Sequence, residues 1–366
     1  MRVFQIDPHS DPRWERFVAE HPEGTIYHHP AWIRALELEY GQKGLHLACE
    51  DAGGSLCAIL PLLYTQGLPL QKGSRLYGRR LSSLPRTPIA GPLYIYGDAA
   101  KAVLNAAIGV FGGNSGVQLQ VKMQDDRLHG LMEGLEGVPW RLSYILPLGS
   151  CGSDRFEIVH AGHRKSVQGA LTKAKRSGLV ARHADNLADL RAWYKLYLSS
   201  MRSHAVPPRS YRFFETLWRL LHPKGLMQLI LAEQETQERS SVLAGAVYLR
   251  FGSTVTYAFA GSSRESFSQC PNDLITWTAI NEAKEAGFAR FDFGEVPDGN
   301  AGLAWFKSKW GGFPVRLYRY YSPSLPVREG RIDRSGRYTP SMVAAVWRRL
   351  PLTATALLGD QVYRYL

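Results

Sequence analysis

The sequence predicts an α/β (α+β) chain of two similar domains, each a mixed sheet flanked by helices. Three observations carry this. The chain has 366 residues, 45% of them apolar, which exceeds one small core and is enough to bury two. From about Gly152 to Tyr321 the pattern runs helix, helix, strand, strand, strand, helix, strand, basic turn, strand. Residues before 150 show a looser version of that order. The expected division is a first domain over 1–150, a second over 151–322, and a linker with a helical tail over 323–366.

In the first half a short strand leads to helical segments joined by the turn His21-Pro22-Glu23-Gly24. TIYHHPAWIRALELEYG places Ile26, Trp32 and Leu36 at helix-like spacing, with Gly41 as the stop. LHLACED and SLCAILPLLYT read as a hairpin over Ala52-Gly53-Gly54. A long loop rich in Gly, Pro, Arg and Tyr follows from Gly67 to Gly97, then a helix near 99–110 and strands at 117–122 and 141–148.

The second half opens with the basic helix HRKSVQGALTKAKRSGL, stopped by Gly178. An amphipathic helix with Asn186 as N-cap comes next, and the break Val206-Pro207-Pro208 separates it from YRFFETLWRLL. LMQLILAE and SVLAGAVYLR flank a polar tip, and Gly252-Ser253 turns the second of these into TVTYAFAGS. A helix from about Asn272 to Ala286, the buried strand ARFDFG and the short basic turn WFKSKWGG complete the stretch around which the chain is organised.

Composition narrows the function. With 44 Lys and Arg against 32 Asp and Glu, the formal charge of +12 favours anionic partners. No secretory segment or uninterrupted apolar run long enough to span a bilayer is visible, and the four cysteines have no zinc-like spacing. Reduced thiols in a cytoplasmic protein are expected, with contact to the inner membrane face as the alternative placement. His28 and His29 are adjacent and so share no helix face, and no metal or cofactor is expected. The absence of G-x-S-x-G, Walker and dinucleotide patterns excludes covalent hydrolases and nucleotide hydrolysis of those types, and DNA is not an expected partner.

The candidate chemistry lies after Phe291-Asp292-Phe293-Gly294, where Lys307 follows on an aromatic-flanked turn. Attack of an amine on an ester carbonyl builds negative charge on oxygen, and a fixed cation in a water-poor cleft stabilises it by about 3 kcal/mol. Lys307, beside Trp305 and Phe306, is the candidate for that role, with Lys309 as its alternative. Asp292 is the first candidate for the base that takes the amine proton, and Glu295 the second. Arg202, His204, Arg209, Tyr211 and Arg212, around the Pro-Pro break, form a candidate rim for an anionic acceptor.

YHHPAWIRAL, KAKRSGL, the helix pair around the Pro-Pro break, the hairpin AGAVYLRFGSTVTYAFAGS and DFGEV…GLAWFKSKWGG, in that order, resemble the Fem-type peptidoglycan-bridge aminoacyltransferases, and more closely the Fem-like tandem-GNAT proteins of exosortase and exopolysaccharide systems. The resemblance spans roughly residues 20–322. It implies two tandem GNAT-like acyltransferase domains joining an acyl or aminoacyl group to an amine. It also implies an aminoacyl-tRNA donor and an anionic cell-envelope acceptor, a nucleotide- or lipid-linked precursor. The family's key lysine lies in F-K-x-x-[FW]-G, matched here by Phe306-Lys307-Ser308-Lys309-Trp310-Gly311. Where muropeptide-binding members follow an N-terminal tryptophan with a phosphate-contacting lysine, this chain has Trp32 and then Arg34 as the substitute. The coiled-coil arm of some members is missing.

An acyl-CoA or acyl-carrier-protein donor is the enzymatic alternative. Against it, RLYGRR puts Arg80 where the pyrophosphate loop Q/R-x-x-G-x-G/A needs a small residue, and SRESFSQCPND precedes the last helix of the second domain. A non-catalytic RNA- or membrane-binding role on the same scaffold is the third possibility. The tail SMVAAVWRRLPLTATALLGDQVYRYL is apolar with scattered arginines and is broken by Pro351, which predicts two short helices that pack on the body or lie in a bilayer interface.

Overall fold

The computed structural model describes residues 1–66, 79–110, 117–149, 155–235, 240–322 and 341–363. Part of the long loop, including 75–78 of RLYGRR, together with Cys151, the polar tip at 236–239 and the linker at 323–340, lies outside the described residues. In chain order the elements are β1 (Arg2–Gln5), α1 (Pro12–Glu20), α2 (Pro30–Tyr40), β2 (Leu47–Glu50), β3 (Leu56–Leu60), β4 (Leu63–Thr65), β5 (Arg80–Ser82), β6 (Leu93–Tyr94), α3 (Gly97–Gly109), β7 (Gln118–Met123) and β8 (Glu136–Pro147). They continue with α4 (Arg164–Arg176), β9 (Leu179–His183), α5 (Leu187–Ser203), α6 (Tyr211–Leu221), β10 (Met227–Glu235), β11 (Ser240–Phe251), β12 (Thr254–Ser262), α7 (Pro271–Glu285), β13 (Arg290–Val296), α8 (Ala301–Ser308), β14 (Phe313–Ser322), α9 (Ser341–Arg349) and α10 (Leu352–Tyr363).

Two compact units result, and they do not follow one another as 1–150, 151–322 and 323–366. Of the described residues, unit 1 holds those up to 141, then 316–322 and 361–363, and unit 2 holds 142–315 and 341–360. The cause is strand pairing: Tyr318 to Ser322 of β14 pair antiparallel with Met123 to Leu119 of β7 and return the chain to unit 1. Of the tail helices, α9 packs against α5 of unit 2, and Gly359 of α10 lies against Pro208.

Unit 1 contains the antiparallel order β1-β2-β3-β6, and a second group in which β5 pairs with β4 on one side and parallel to β7 on the other. Leu47, Leu60, Val103, Val121 and Tyr320 belong to its core. The adjacent histidines serve this fold. His28 hydrogen-bonds the Gly91 carbonyl through Nε2 at 2.9 Å, and His29 caps α2 by accepting from the Ala31 amide at 3.1 Å. Burial pushes the His28 imidazole down to about 4, which keeps it neutral at ordinary pH. Cys49 and Cys57 are buried free thiols, and Cys270 is a partly buried one.

Unit 2 is organised on β9 to β13 with the second half of β8, in the order β8-β13-β12-β11-β10-β9. Its central strand β11 is buried on both faces, which accounts for its near-continuous apolar sequence. Ala244, Ala246 and Tyr248 join the core with Val167 and Leu171 of α4 and Ile275 and Ala279 of α7. On the other face a Cβ at Gly245 would come within 2.7 Å of Trp193 of α5. Trp193, fully buried, fixes that contact by donating from Nε1 to the Gly245 carbonyl at 2.9 Å. β9 does not stand out in the sequence. LVARH is short and follows directly on the Gly178 stop, and only its pairing with β10 makes it a strand.

Helix ends follow the sequence closely. Gly178 stands at φ +70° past the end of α4, and Asn186 caps α5 by accepting from the amides of Ala188 and Asp189 at 2.8 and 3.1 Å. Asn186→Ala is expected to lower stability by about 1 kcal/mol, read as a shift in the urea midpoint. A shift of only a tenth or two of that value would show that α5 does not depend on its cap. The tail forms two helices separated at Pro351, as its sequence indicates, and no described helix is long and apolar enough to cross a membrane.

Candidate active site

The site grows from a place where two strands part. β12 and β13 pair in parallel over Thr254–Thr256 and Arg290–Asp292 only, although β12 continues to Ser262 and β13 to Val296. On the other side of β13 the register with β8 shifts between Asp292 and Glu295. Gly294, at φ +74°, makes the kink. The strand therefore loses its partner on the β12 side at this point, while Glu295 and Val296 still pair with β8, and carbonyls left without a ladder donor need another.

Lys307 supplies them. Its ammonium donates to the carbonyls of Gly294 at 2.8 Å and Glu295 at 3.0 Å, and the residue is only 4% exposed. Burial pushes its pKa from 10.5 down to about 8, against the pull of the nearby acids Asp292 and Glu295. The structure corrects the sequence expectation in two respects. WFKSKWGG is not a basic turn: Lys307 belongs to the last turn of α8, whose N-terminus is capped by Asn300 accepting from the Leu303 amide at 3.1 Å. A helix here is favoured by that cap and by a cation at the negative end of its dipole.

The second correction concerns the aromatic flank. Trp305 is 49% exposed, and Trp305, Phe306 and Trp310 surround the other lysine. The Lys309 ammonium stands 5.1, 4.7 and 5.4 Å from those three ring centroids and is ion-paired with Asp273 in the first turn of α7. That charge is already neutralised and held by α7, which suits Lys309 to fixing α8 rather than to meeting a substrate. Gly311, at φ +94°, then reverses the chain, and a Cβ there would lie 2.5 Å from the Ile158 carbonyl oxygen.

Asp292 faces the same kink. Its Oδ1 accepts from Ser143 Oγ at 2.8 Å and from the Gly294 amide at 2.7 Å, so the carboxylate braces the turn that presents the two carbonyls. Burial raises its pKa, and those two hydrogen bonds and Lys307 oppose the rise. Glu295 is partly buried and contributes its carbonyl to Lys307. Beside this group lies a cavity of about 280 Å³ lined by Leu142, Tyr144, Val296, Asp298, Asn300 and Ala304 among others. Val296 follows Glu295 directly, and Ala304 precedes Lys307 by three residues on α8, so neighbours of the lysine and of its acceptors line this cavity while Lys307 itself does not.

The other candidates lie elsewhere. Trp32 is buried in unit 1, with Nε1 donating to Thr87 Oγ1 at 3.2 Å and its ring edge-on to Tyr27, so it acts as a packing residue. Arg34 is exposed and 3.7 Å from Glu37. The expected rim at the Pro-Pro break is largely committed to structure: Arg209 is buried 4.2 Å from the Phe213 ring centroid, Arg202 donates to the Leu350 carbonyl, and Tyr211 packs edge-on to Tyr194. Of the five, His204 and Arg212 are exposed. Sequence inspection missed Ser143 and Asp273, because their partners lie 149 and 36 residues away and neither sits in a motif.

The family model described as Acetyltransferase (GNAT) domain matches residues 161–307, a span that ends on Lys307. Among solved structures, FemX is similar over 88% of this chain and 98% of its own, at 16% identity and a TM-score of 0.68. The C-terminal domain of a putative lysylphosphatidylglycerol synthetase from Agrobacterium fabrum is similar over 80% and 89%, at 12% identity and a TM-score of 0.52. A tandem GNAT protein from the clavulanic acid biosynthesis pathway is similar over 89% and 99%, at 10% identity and a TM-score of 0.50. No curated protein sequence matches the chain. The chain shares the fold of FemX and of a tandem GNAT protein, and its residues 161–307 match a GNAT acetyltransferase domain.

Proposed function

We propose that unit 2 transfers an activated acyl or aminoacyl group to an amine of an anionic cell-envelope precursor, with the reacting carbonyl placed beside Lys307. One observation carries this: a nearly buried ammonium held by two strand carbonyls, with a cavity of about 280 Å³ lined by the next strand residue, Val296, and by Ala304 of the same helix. Two of its three protons are engaged, which fixes its direction and leaves one for an oxygen that becomes negative as the amine attacks. Asp292, with its raised pKa, is the proposed acceptor of the amine proton, and Glu295 the alternative. The Fem-type resemblance supports an aminoacyl-tRNA donor. The lysylphosphatidylglycerol synthetase among similar folds supports an envelope component as acceptor. An acyl-CoA or acyl-carrier thioester donor is the second reading, favoured by the acetyltransferase match over 161–307. Supplying charged tRNA and acyl thioesters separately, with mass spectrometry of the amide product, decides between them; no amide from either donor overturns the assignment.

The pKa of Lys307 gives a test of its role. If the ammonium is the working form, transfer declines as pH rises through about 8, and Lys307→Arg moves the decline to higher pH. Stability moves the other way. Between about 8 and 10.5 the unfolded chain holds a proton that the native lysine has lost, so this residue's unfavourable contribution is full below about 8 and relieved as pH rises. The difference in urea midpoint between wild type and Lys307→Met should therefore change across that interval. An alkaline limb that stays in place in the arginine variant assigns it to another group.

A further inference from the structure

The helices after residue 340 have two unlike faces. The inner face is fixed to unit 2. Arg202 Nη1 donates to the Leu350 carbonyl at 3.1 Å, Arg348 Nε donates to the Ser203 carbonyl at 3.2 Å, and Gly359 lies so near Pro208 that a Cβ would be 2.6 Å from its Cδ. Away from these contacts, Val346 on α9 and Leu357 and Leu358 on α10 are exposed by 63, 71 and 45%. On α10, Ala354, Leu357, Leu358 and Gln361 recur at spacings of three and four, which puts both leucines on one stripe. Arg348 and Arg349 are exposed at the end of α9, and Asp360 is the only acid in the sequence of the two helices.

We propose that this outer face docks on the surface of an anionic lipid bilayer. Large aliphatic side chains held outward by a well-anchored inner face gain nothing in water, and covering them with an apolar phase is favourable in proportion to the area buried. Charge selects the phase. The two described helices carry Arg348 and Arg349 against the single acid Asp360, within a chain of net charge +12, so the partner carries negative charge next to its apolar layer. An anionic bilayer interface offers both in the depth order these side chains need. The leucines reach the acyl boundary while the arginines remain at the phosphates. A few aliphatic residues and a basic patch give reversible adsorption rather than insertion, consistent with helices too short to cross.

The test is sedimentation of the full chain with vesicles of phosphatidylcholine alone or phosphatidylcholine mixed with phosphatidylglycerol. It needs neither donor nor acceptor, so its outcome is independent of the transfer assignment. Binding is expected to the mixed vesicles only, and to weaken with salt. Leu357→Ser with Leu358→Ser should lower the partition coefficient about tenfold, and Arg349→Gln about fivefold, roughly the effect of one basic residue near the surface. Val346→Ser provides the same test should the double variant fold poorly. Undiminished sedimentation of the leucine variant overturns the proposal, as does equal binding to neutral vesicles. A concentration-dependent dimer abolished by the same substitutions would also overturn it, since a second copy would then cover the face.

Discussion

Lys307→Ala is expected to lower kcat/KM for the proposed transfer at least about a hundredfold, the loss that follows when one preorganised cation, contributing about 3 kcal/mol, is withdrawn from a developing oxyanion. The interpretation depends on what else the substitution does. Removing the ammonium leaves the Gly294 and Glu295 carbonyls without that donor, at roughly 1–3 kcal/mol for each buried group left unsatisfied. It also relieves the burial of a charge, and the fall of the lysine from 10.5 to about 8 corresponds to about 3 kcal/mol against the charged form. These contributions oppose one another, so net stability should change far less than the rate. Lys307→Met, which keeps most of the side-chain volume, should lose activity as fully as the alanine variant while retaining the wild-type circular dichroism spectrum. Lys307→Arg should retain part of the rate. Turnover in Lys307→Ala that matches wild type removes the lysine from the chemistry and leaves it a brace for the kinked strand.

Elements were legible in the sequence where local chemistry determines them. Asn186, Gly178 and Pro351 each act through their own backbone or the next turn, so the caps and breaks they mark appear where their residue types require. Motif order likewise carried the fold, since hydrophobic period survives where identity to similar structures is as low as 10%. What was not legible was set at a distance. Whether Trp305 and Phe306 shield Lys307 or Lys309 depends on the rotation of α8, and Asp273 of α7 fixes that rotation by pairing with Lys309. The Pro-Pro break reads as open surface until Gly359, some 150 residues on, covers Pro208. Nor could the parting of β12 from β13 be read from composition: Gly294 signals a kink but not which neighbour is lost, and β13 runs on to Val296 after its pairing with β12 ends at Asp292.

Gly261→Ala should be the most damaging single-methyl change in unit 2. The glycine sits in β12 where α5 crosses it, and an added Cβ would lie 2.3 Å from the Tyr197 amide nitrogen, 2.6 Å from its Cα and 2.7 Å from the Leu196 carbonyl carbon. All three atoms are backbone, so no side-chain rotation relieves the overlap and the helix must move. Movement is resisted by the hydrogen bond from the Ser262 amide to Ser200 Oγ at 3.1 Å and by Trp193 anchored to Gly245. Overpacking at a site that cannot relax costs about 3 kcal/mol or more, enough to move the urea midpoint markedly at an unchanged slope. Gly252→Ala offers the comparison. Its φ of +53° disfavours a side chain, but a Cβ there meets nothing within 4 Å, so the cost should be only about 1 kcal/mol. Equal midpoints for the two variants would show that α5 and β12 are not held at this separation. A loss confined to Gly261→Ala would establish that the strand which parts from β13 beside Lys307 is held in place from its other side by backbone contact with a helix.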